Sequence, residues 1–263
     1  MTVKNGSFFI KKAIESILNQ SLLPREIIIV DDGSTDDTCT LVEQINLTAY
    51  MPIHLIKTVG VGRSKALNLA VEKCSYEWIA NLDVDDYWLY SKLEKQVEVI
   101  LKEPNAQVVT TKSFILTELE KADFISNDSI QRLSYKRLNK VDFYARNPVN
   151  HSSILFSKEL FVYVGGYNQA LRKQIDYDLW VRFVLVSDFF YQVDIPLTVK
   201  YLHSMQSYES KNVILYRFSS FFIKVTSLIK FKAPWYFYLK AVFFFGATFL
   251  PNRLKNKFRK KIR

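Results

Sequence analysis

The sequence predicts an α/β protein: a mainly parallel sheet flanked by helices on both faces, followed by a basic, amphipathic helical tail. Three observations carry this expectation. Short apolar runs such as Ile27–Val30 alternate with stretches of helical periodicity between residues 7 and 102, which is the pattern of β-α units. Two of those runs end abruptly in carboxylates, Asp31-Asp32 and Asp83-Val84-Asp85-Asp86. Charge is also segregated. Residues 210–263 contain 13 Lys/Arg and no Asp or Glu, whereas residues 1–209 hold the other 23 basic and all 26 acidic residues, a net of −3.

The elements follow in order. Ile10, Ala13, Ile14, Ile17 and Leu18 recur at helical spacing, so residues 7–20 form an amphipathic helix. Residues 26–31, with three isoleucines and a valine and no polar alternation, form a strand buried on both faces. Ser34 and Thr35, followed by Asp36 and Asp37, suit a helix start whose dipole favours carboxylates. A short strand is expected at His54–Lys57, a break at Gly60 and Gly62, and a helix over Ser64–Lys73. Glu77–Leu82 reads as a strand and Lys92–Lys102 as a helix. Further on, Val108–Leu116 and Ser153–Phe156 read as strands on either side of a polar stretch, 118–147, that carries no clear period. Asp176–Val186 reads as a helix, and Tyr191–Val193 and Leu197–Tyr201 as two final strands.

Composition bounds the function. A hydrophobic content of 49% excludes disorder, and only 7 Gly and 7 Pro exclude fibrous and low-complexity classes. The two cysteines, Cys39 and Cys74, give neither a disulfide framework nor metal-type spacing. The N-terminus lacks the apolar core and cleavage site of a signal peptide. A cytoplasmic location is the expectation.

The carboxylates point to chemistry. Ligands of open α/β sheets bind outside the carboxyl ends of the strands, so both acidic clusters open into one crevice. Carboxylates gathered there repel one another and resist burial. A hard divalent cation carrying a phosphate-bearing ligand relieves that repulsion. The chain reads as an enzyme that handles a nucleotide through a metal.

The motifs then resemble those of the family 2 inverting glycosyltransferases, which have the Rossmann-like GT-A fold. The run Ala13–Ser21 followed by Ile29–Asp36 is similar to the family's opening signature. Gly62, Ala66-Leu67-Asn68, Glu77-Trp78-Ile79 and Leu82–Asp86 continue it in order, and Lys92–Gln96 matches the helix that follows. His151-Ser152-Ser153, Gly165-Gly166-Tyr167 and Asp176–Arg182 fall where the family has its acceptor-side motifs. The similarity spans residues 1–207, taken as the GT-A domain, with 208–263 as the tail.

The resemblance implies roles. Asp83-Val84-Asp85 is similar to the metal-binding DxD, with Asp85 as a ligand of Mn²⁺ or Mg²⁺ and Asp83 facing the ribose or the metal shell. Asp32 corresponds to the residue that reads the nucleotide base, Val3 and Lys65 stand on the donor side, and His203 matches a histidine near the diphosphate or metal. Asp176 corresponds to the general base that inversion requires. The rival reading for Asp32 is a carboxylate on a helix dipole, which is preferred for Asp36 and Asp37, and the rival for Asp176 is a helix N-cap. Lys65 equally suits a solvated helix face. Trp180 and Arg182 read as packing and ion-pair residues, and His151 as structural. Two departures stand out. Ile175 replaces an acidic residue common before the base. Met1–Gly6 resembles only the end of the family's first apolar strand, with Lys4 at an aromatic position, so that strand is expected to be truncated through a misplaced start.

The implied function is inverting transfer of a sugar from a nucleotide donor, UDP-linked by resemblance, to a lipid-linked saccharide acceptor of a bacterial surface polysaccharide. The tail combines Lys/Arg with dense Phe, Tyr, Trp and Leu. It is expected to lie on an anionic membrane surface, placing the protein peripherally on the inner face of the plasma membrane. Ala233–Leu250 carries Pro234 and Lys240, which argues against a spanning helix. Nucleic acid explains the charge but not the Phe and Leu density at 242–250, so no nucleic-acid partner is expected. Two rivals use the same crevice. One is a non-catalytic GT-A binding subunit. The other is a metal-dependent nucleotidyltransferase, which would want a Gly- and Lys/Arg-rich triphosphate loop near the N-terminus.

Overall fold

A computed structural model describes residues 1–117, 132–203 and 213–249. Its first half is built from β-α units. β1 (Thr2–Val3), β2 (Ile27–Asp31) and β3 (Ile53–Lys57) form a parallel sheet in that order. Their registers pair Val3 with Asp31 and Asp31 with Lys57. Every residue of β2 is buried, as expected of an apolar strand covered on both faces. α1 (Ser7–Leu18) covers one face with Ile10, Ala13, Ile14 and Ile17, and α3 (Arg63–Lys73) covers the other with Ala66 and Ala70 against Ile28 and Val30. Between them α2 runs over Thr38–Thr48. It begins later than Ser34-Thr35, because Asp31 Oδ1 accepts the backbone N–H groups of Gly33 and Ser34 and turns that segment back. Gly6 allows the turn from β1 into α1: a Cβ there would lie 2.5 Å from a methyl of Val3.

The second half is mixed rather than parallel. β4 (Trp78–Ala80), β5 (Tyr87–Trp88), β6 (Val108–Thr117), β7 (Tyr135–Leu138), β8 (Leu155–Ser157) and β9 (Phe190–Leu202) form one sheet. Only β6 and β9 pair in parallel; β8 runs antiparallel to both β4 and β6. The two final strands expected at 191–193 and 197–201 are one continuous strand, β9. Irregular pairing at Thr111–Ser113 of β6 absorbs Pro196, which cannot donate to the ladder. β7 and a 3₁₀ turn at Lys140–Phe143 occupy part of the stretch without a period; residues 118–131 lie outside the described ones.

α4 (Lys92–Lys102), α5 (Lys158–Tyr163) and α6 (Ile175–Val186) complete the core. Trp180 and Phe183 of α6 pack on Phe156 and are fully buried. Arg182 pairs with Asp178 at 2.8 Å, so both α6 residues read as structural are so. α7 (Val213–Lys230) and α8 (Trp235–Ala247) follow. Ile223, Leu228, Phe231 and Ala241 of this hairpin join the core cluster that holds Phe143 and Trp180. The 207/208 boundary falls among residues outside the described ones. Among the described residues no helix is long and apolar enough to cross a membrane. Cys39 and Cys74 are free thiols.

An apolar cavity of about 640 Å³ runs between β2 and β4, with Met1 at one end and Ile28, Val71, Ile79, Leu82 and Leu93 along it.

Candidate active site

The carboxyl ends of β2 and β4 are joined through the Gly62–Arg63 corner, which bonds Asp32 on one side and Asp83 on the other. Val3 is buried in β1, and its carbonyl accepts the Asp32 N–H at 2.7 Å. Asp32 sits just past β2. Its carboxylate accepts from the Thr58 hydroxyl at 2.8 Å and from the Val61 and Gly62 N–H groups at 2.6 and 2.9 Å. Asp32 thus pins the glycine loop before α3 rather than capping a helix. Gly62 enters α3 with φ of 93°, a left-handed conformation that side chains resist. Asp36 is the structural carboxylate: it accepts from Ser7 N–H and from both groups of Thr38, tying α1 to α2. Those bonds hold it at about 2, against an opposing push from desolvation.

The second cluster is a charged knot. Asp83 Oδ1 receives Arg63 Nη2 at 2.7 Å and His151 Nδ1 at 2.8 Å. His151 Nε2 lies 2.8 Å from the Tyr167 hydroxyl, and Nδ1 also faces the Asn81 amide nitrogen at 2.9 Å. Burial opposes ionisation of Asp83, but Arg63 and then His151 outweigh it and hold the carboxyl well below the usual range. Asp83, to which it is paired, and then Asp176 and Asp85 keep this exposed Arg63 guanidinium firmly protonated. Ser152 accepts the Asp83 N–H at 3.0 Å and donates to Asp86. Burial, with Asp83 and Asp85 adding to it, pushes Asp86 up to about 8.

Asp85 Oδ2 lies 3.2 Å from His203 Nε2, at the end of β9. The other ring nitrogen of His203 is buried without a hydrogen-bond partner. The Asp85 carboxylate oxygen suits Mn²⁺ or Mg²⁺ completed by phosphate and water, and the imidazole nitrogen beside it favours Mn²⁺, the softer of the two. Among the described residues no group of three or more His, Cys, Asp or Glu is gathered to hold a metal by itself. Asp176 occupies the second position of α6. The N-cap is Gln174, in a left-handed conformation, so the capping alternative for Asp176 fails. Asn147 Nδ2 donates to Asp176 Oδ2 at 3.1 Å. Lys65 stands exposed on α3, and the cation paired with Asp83 is Arg63.

Behind this site lies a buried polar frame. Trp88 donates its indole N–H to the Ser152 carbonyl at 2.7 Å. Gln96 donates to the carbonyls of Val109 and Ser153 and accepts from the buried Lys92, which lies 4.0 Å over the Trp88 ring. The frame fixes the 3₁₀ turn at His151–Ser153. Reading the sequence ranked His151 last, passed over Arg63 and Asn147, and named Ser152 only as part of a motif. The available signals were slight: Arg63 directly follows the Gly60/Gly62 break, and Asn150–Ser153 is a polar cluster ahead of an apolar strand.

A fold of β-α units with carboxylate-ended strands and a mixed second half is that of a GT-A glycosyltransferase. The model of the family "Glycosyl transferase family 2" matches residues 1–164, and the chain belongs to that family. It is 31% identical over 190 residues to the O-antigen biosynthesis glycosyltransferase WbnJ of Escherichia coli, covering 69% of each chain. It is 30% identical over 177 residues to the amylovoran biosynthesis glycosyltransferase AmsE of Erwinia amylovora, covering 66% of this chain and 63% of that one. A glycosyltransferase of Rickettsia conorii matches over 97% of this chain but only 42% of its own length. This chain therefore spans less than two thirds of several relatives. Among solved structures, S. aureus TarS 1–349 in complex with UDP-GlcNAc superposes with a TM-score of 0.68 at 15% identity, covering 87% of this chain and 64% of that one. The mannosyltransferase PcManGT of Pyrobaculum calidifontis, in complex with GDP-Man and Mn²⁺, gives 0.62 at 18% identity, covering 93% and 68%. These two likenesses speak to the fold.

Proposed function

We propose that the chain is an inverting glycosyltransferase that moves a sugar from a UDP-sugar to a hydroxyl of a lipid-linked saccharide, at the inner face of the plasma membrane. The observation that carries this reading is the pair of contacts at the DxD, Asp83 with Arg63 and Asp85 with His203, together with the pull of Asp176 on the same Arg63 guanidinium. In this reading Asp85 and His203 hold Mn²⁺ or Mg²⁺, which when bound neutralises charge on the leaving diphosphate. Asp32 and Val3 flank the base, and Asp83 meets the ribose or metal shell. Lys65 meets the diphosphate from the solvent side of α3. Asp176, steadied by Asn147, takes the proton of the acceptor hydroxyl as its oxygen bonds to the anomeric carbon and the bond to the diphosphate oxygen breaks. Ile175 beside it removes the neighbouring charge that the family commonly has there.

The supporting relatives act in polysaccharide biosynthesis by their names, and solved neighbours carry UDP, UDP-GlcNAc or GDP-Man. The test is a thermal-shift panel of nucleoside diphosphates with and without Mn²⁺. UDP with Mn²⁺ should raise Tm as the ligand saturates, by about 2.7 kcal/mol of added stability at 100 times Kd. A larger shift with GDP would move the donor to a guanosine sugar. No shift with any nucleotide would favour the non-catalytic subunit.

A further inference from the structure

The α7–α8 hairpin is held firmly to the domain on one side and apolar on the other. On the inner side Lys224 donates to the Phe143 carbonyl at 2.9 Å and to the Tyr177 hydroxyl at 3.0 Å, and Ile223 and Leu228 are buried. On the outer side Ile214, Phe218, Phe222 and Ile229 of α7 are exposed, with Phe222 at 69%. Their spacing of 4, 4 and 7 residues sets them in one stripe. On α8, Trp235, Leu239, Val242 and Phe243 make a second stripe, with Trp235 at 73% exposure. Water-facing surfaces rarely gather so much contiguous aliphatic and aromatic area. Every charge on this hairpin is positive: Arg217, Lys224, Lys230, Lys232 and Lys240. Lys240 and Arg217 lie over aromatic rings, at 5.1 Å from Phe237 and 5.2 Å from Phe249. Apolar stripes edged by cations complement an anionic lipid surface, with rings at the acyl boundary and cations at the headgroups.

The hairpin also touches the site. Gln174, two residues before Asp176, donates its side-chain amide to the Ser220 hydroxyl at 3.1 Å, and Ser220 lies between Phe218 and Phe222 on α7. We propose that the α7–α8 hairpin docks on anionic membrane through its Phe222 and Phe243 stripes and thereby holds the Asp176 end of the crevice at the lipid surface. The docking stands on the hairpin alone. Its value for a lipid-linked acceptor rests on the transferase reading above.

The experiment uses the whole chain with vesicles of phosphatidylcholine, with and without phosphatidylglycerol. Wild type should co-sediment with anionic vesicles, more weakly in high salt, and Trp235 emission should shift to the blue. Phe222→Glu/Phe243→Glu should bind at least tenfold more weakly while keeping its Tm and its nucleotide shift. Hydrogen exchange should slow on vesicles in the hairpin and in the first turn of α6. Equal binding by the double variant would overturn the assignment of the stripes, and so would a stable dimer that buries them. Protection confined to the hairpin would overturn the link to Asp176. A nucleotide shift without vesicle binding would remove the docking and leave the transferase reading in place; vesicle binding without any nucleotide shift would do the reverse.

Discussion

His203 Nε2 stands 3.2 Å from Asp85 Oδ2 although 118 positions separate the two residues, and Phe9 stacks on the histidine ring at 4.4 Å. The pair joins the DxD to the end of the longest strand of the mixed sheet. Asp85→Asn and His203→Ala should each weaken Mn²⁺-dependent nucleotide binding, with the larger loss at Asp85. Metal-free nucleotide binding should change little. Calorimetric titration of UDP with and without Mn²⁺ measures both, and unaltered Mn²⁺ dependence in either variant would take that residue out of the metal site.

Asp176 should behave differently. Asp176→Asn keeps the partner of Asn147 and the α6 geometry but removes the proton acceptor, a contribution of roughly 10²–10⁴ in rate. Donor binding should persist while transfer collapses. Weakened donor binding with intact turnover would place the base elsewhere.

Ser152 positions two carboxylates at once, through the Asp83 N–H and the Asp86 carboxyl. Ser152→Ala leaves the Asp83 N–H without this acceptor and takes one hydrogen bond from Asp86, whose other oxygen keeps the Tyr201 N–H, which should cost about 1–3 kcal/mol of stability. Ser152→Thr should restore most of it. Urea denaturation of the two variants decides, and equal losses would show that packing volume, not the hydroxyl, matters there.

Lys224 gives the stability a pH dependence. Burial lowers its pKa from 10.5 to about 8, so between those values the unfolded chain binds more protons than the folded one. Stability from this group should rise as pH increases from about 8 toward 10. The neighbouring Tyr177, pushed well above its usual range by burial, acts in the opposite sense only above its unfolded pKa near 10. Lys224→Met should flatten the slope between pH 8 and 10. An unchanged slope in that variant would assign it to other groups.

The cavity beside β1 sets a further expectation. Lengthening β1 backward by about five apolar residues should fill the space between Ile28 and Ile79, each buried side chain contributing roughly 1.5–3 kcal/mol. Tm should rise by about 5 °C or more, since 1 kcal/mol moves a chain of this size by about 2–4 °C. A polar extension of equal length is the control, and an equal rise with both would mean that the cavity is not being filled.

The sequence alone settled the order of β-α units, the strands that end in carboxylates, the helix at 92–102 and the charge separation of the tail. These are local properties: a period of two or 3.6 residues and the residues that end it are written in consecutive positions. Tertiary structure alone decided the partners. Arg63 and His151 reach Asp83 from 20 and 68 positions away, and β8 runs antiparallel between β4 and β6. Strand order and register bring such groups together, and an ion pair between distant elements leaves no periodic trace in either. For the same reason His151 reads as an ordinary core histidine until the turn at 151–153 is folded onto Asp83.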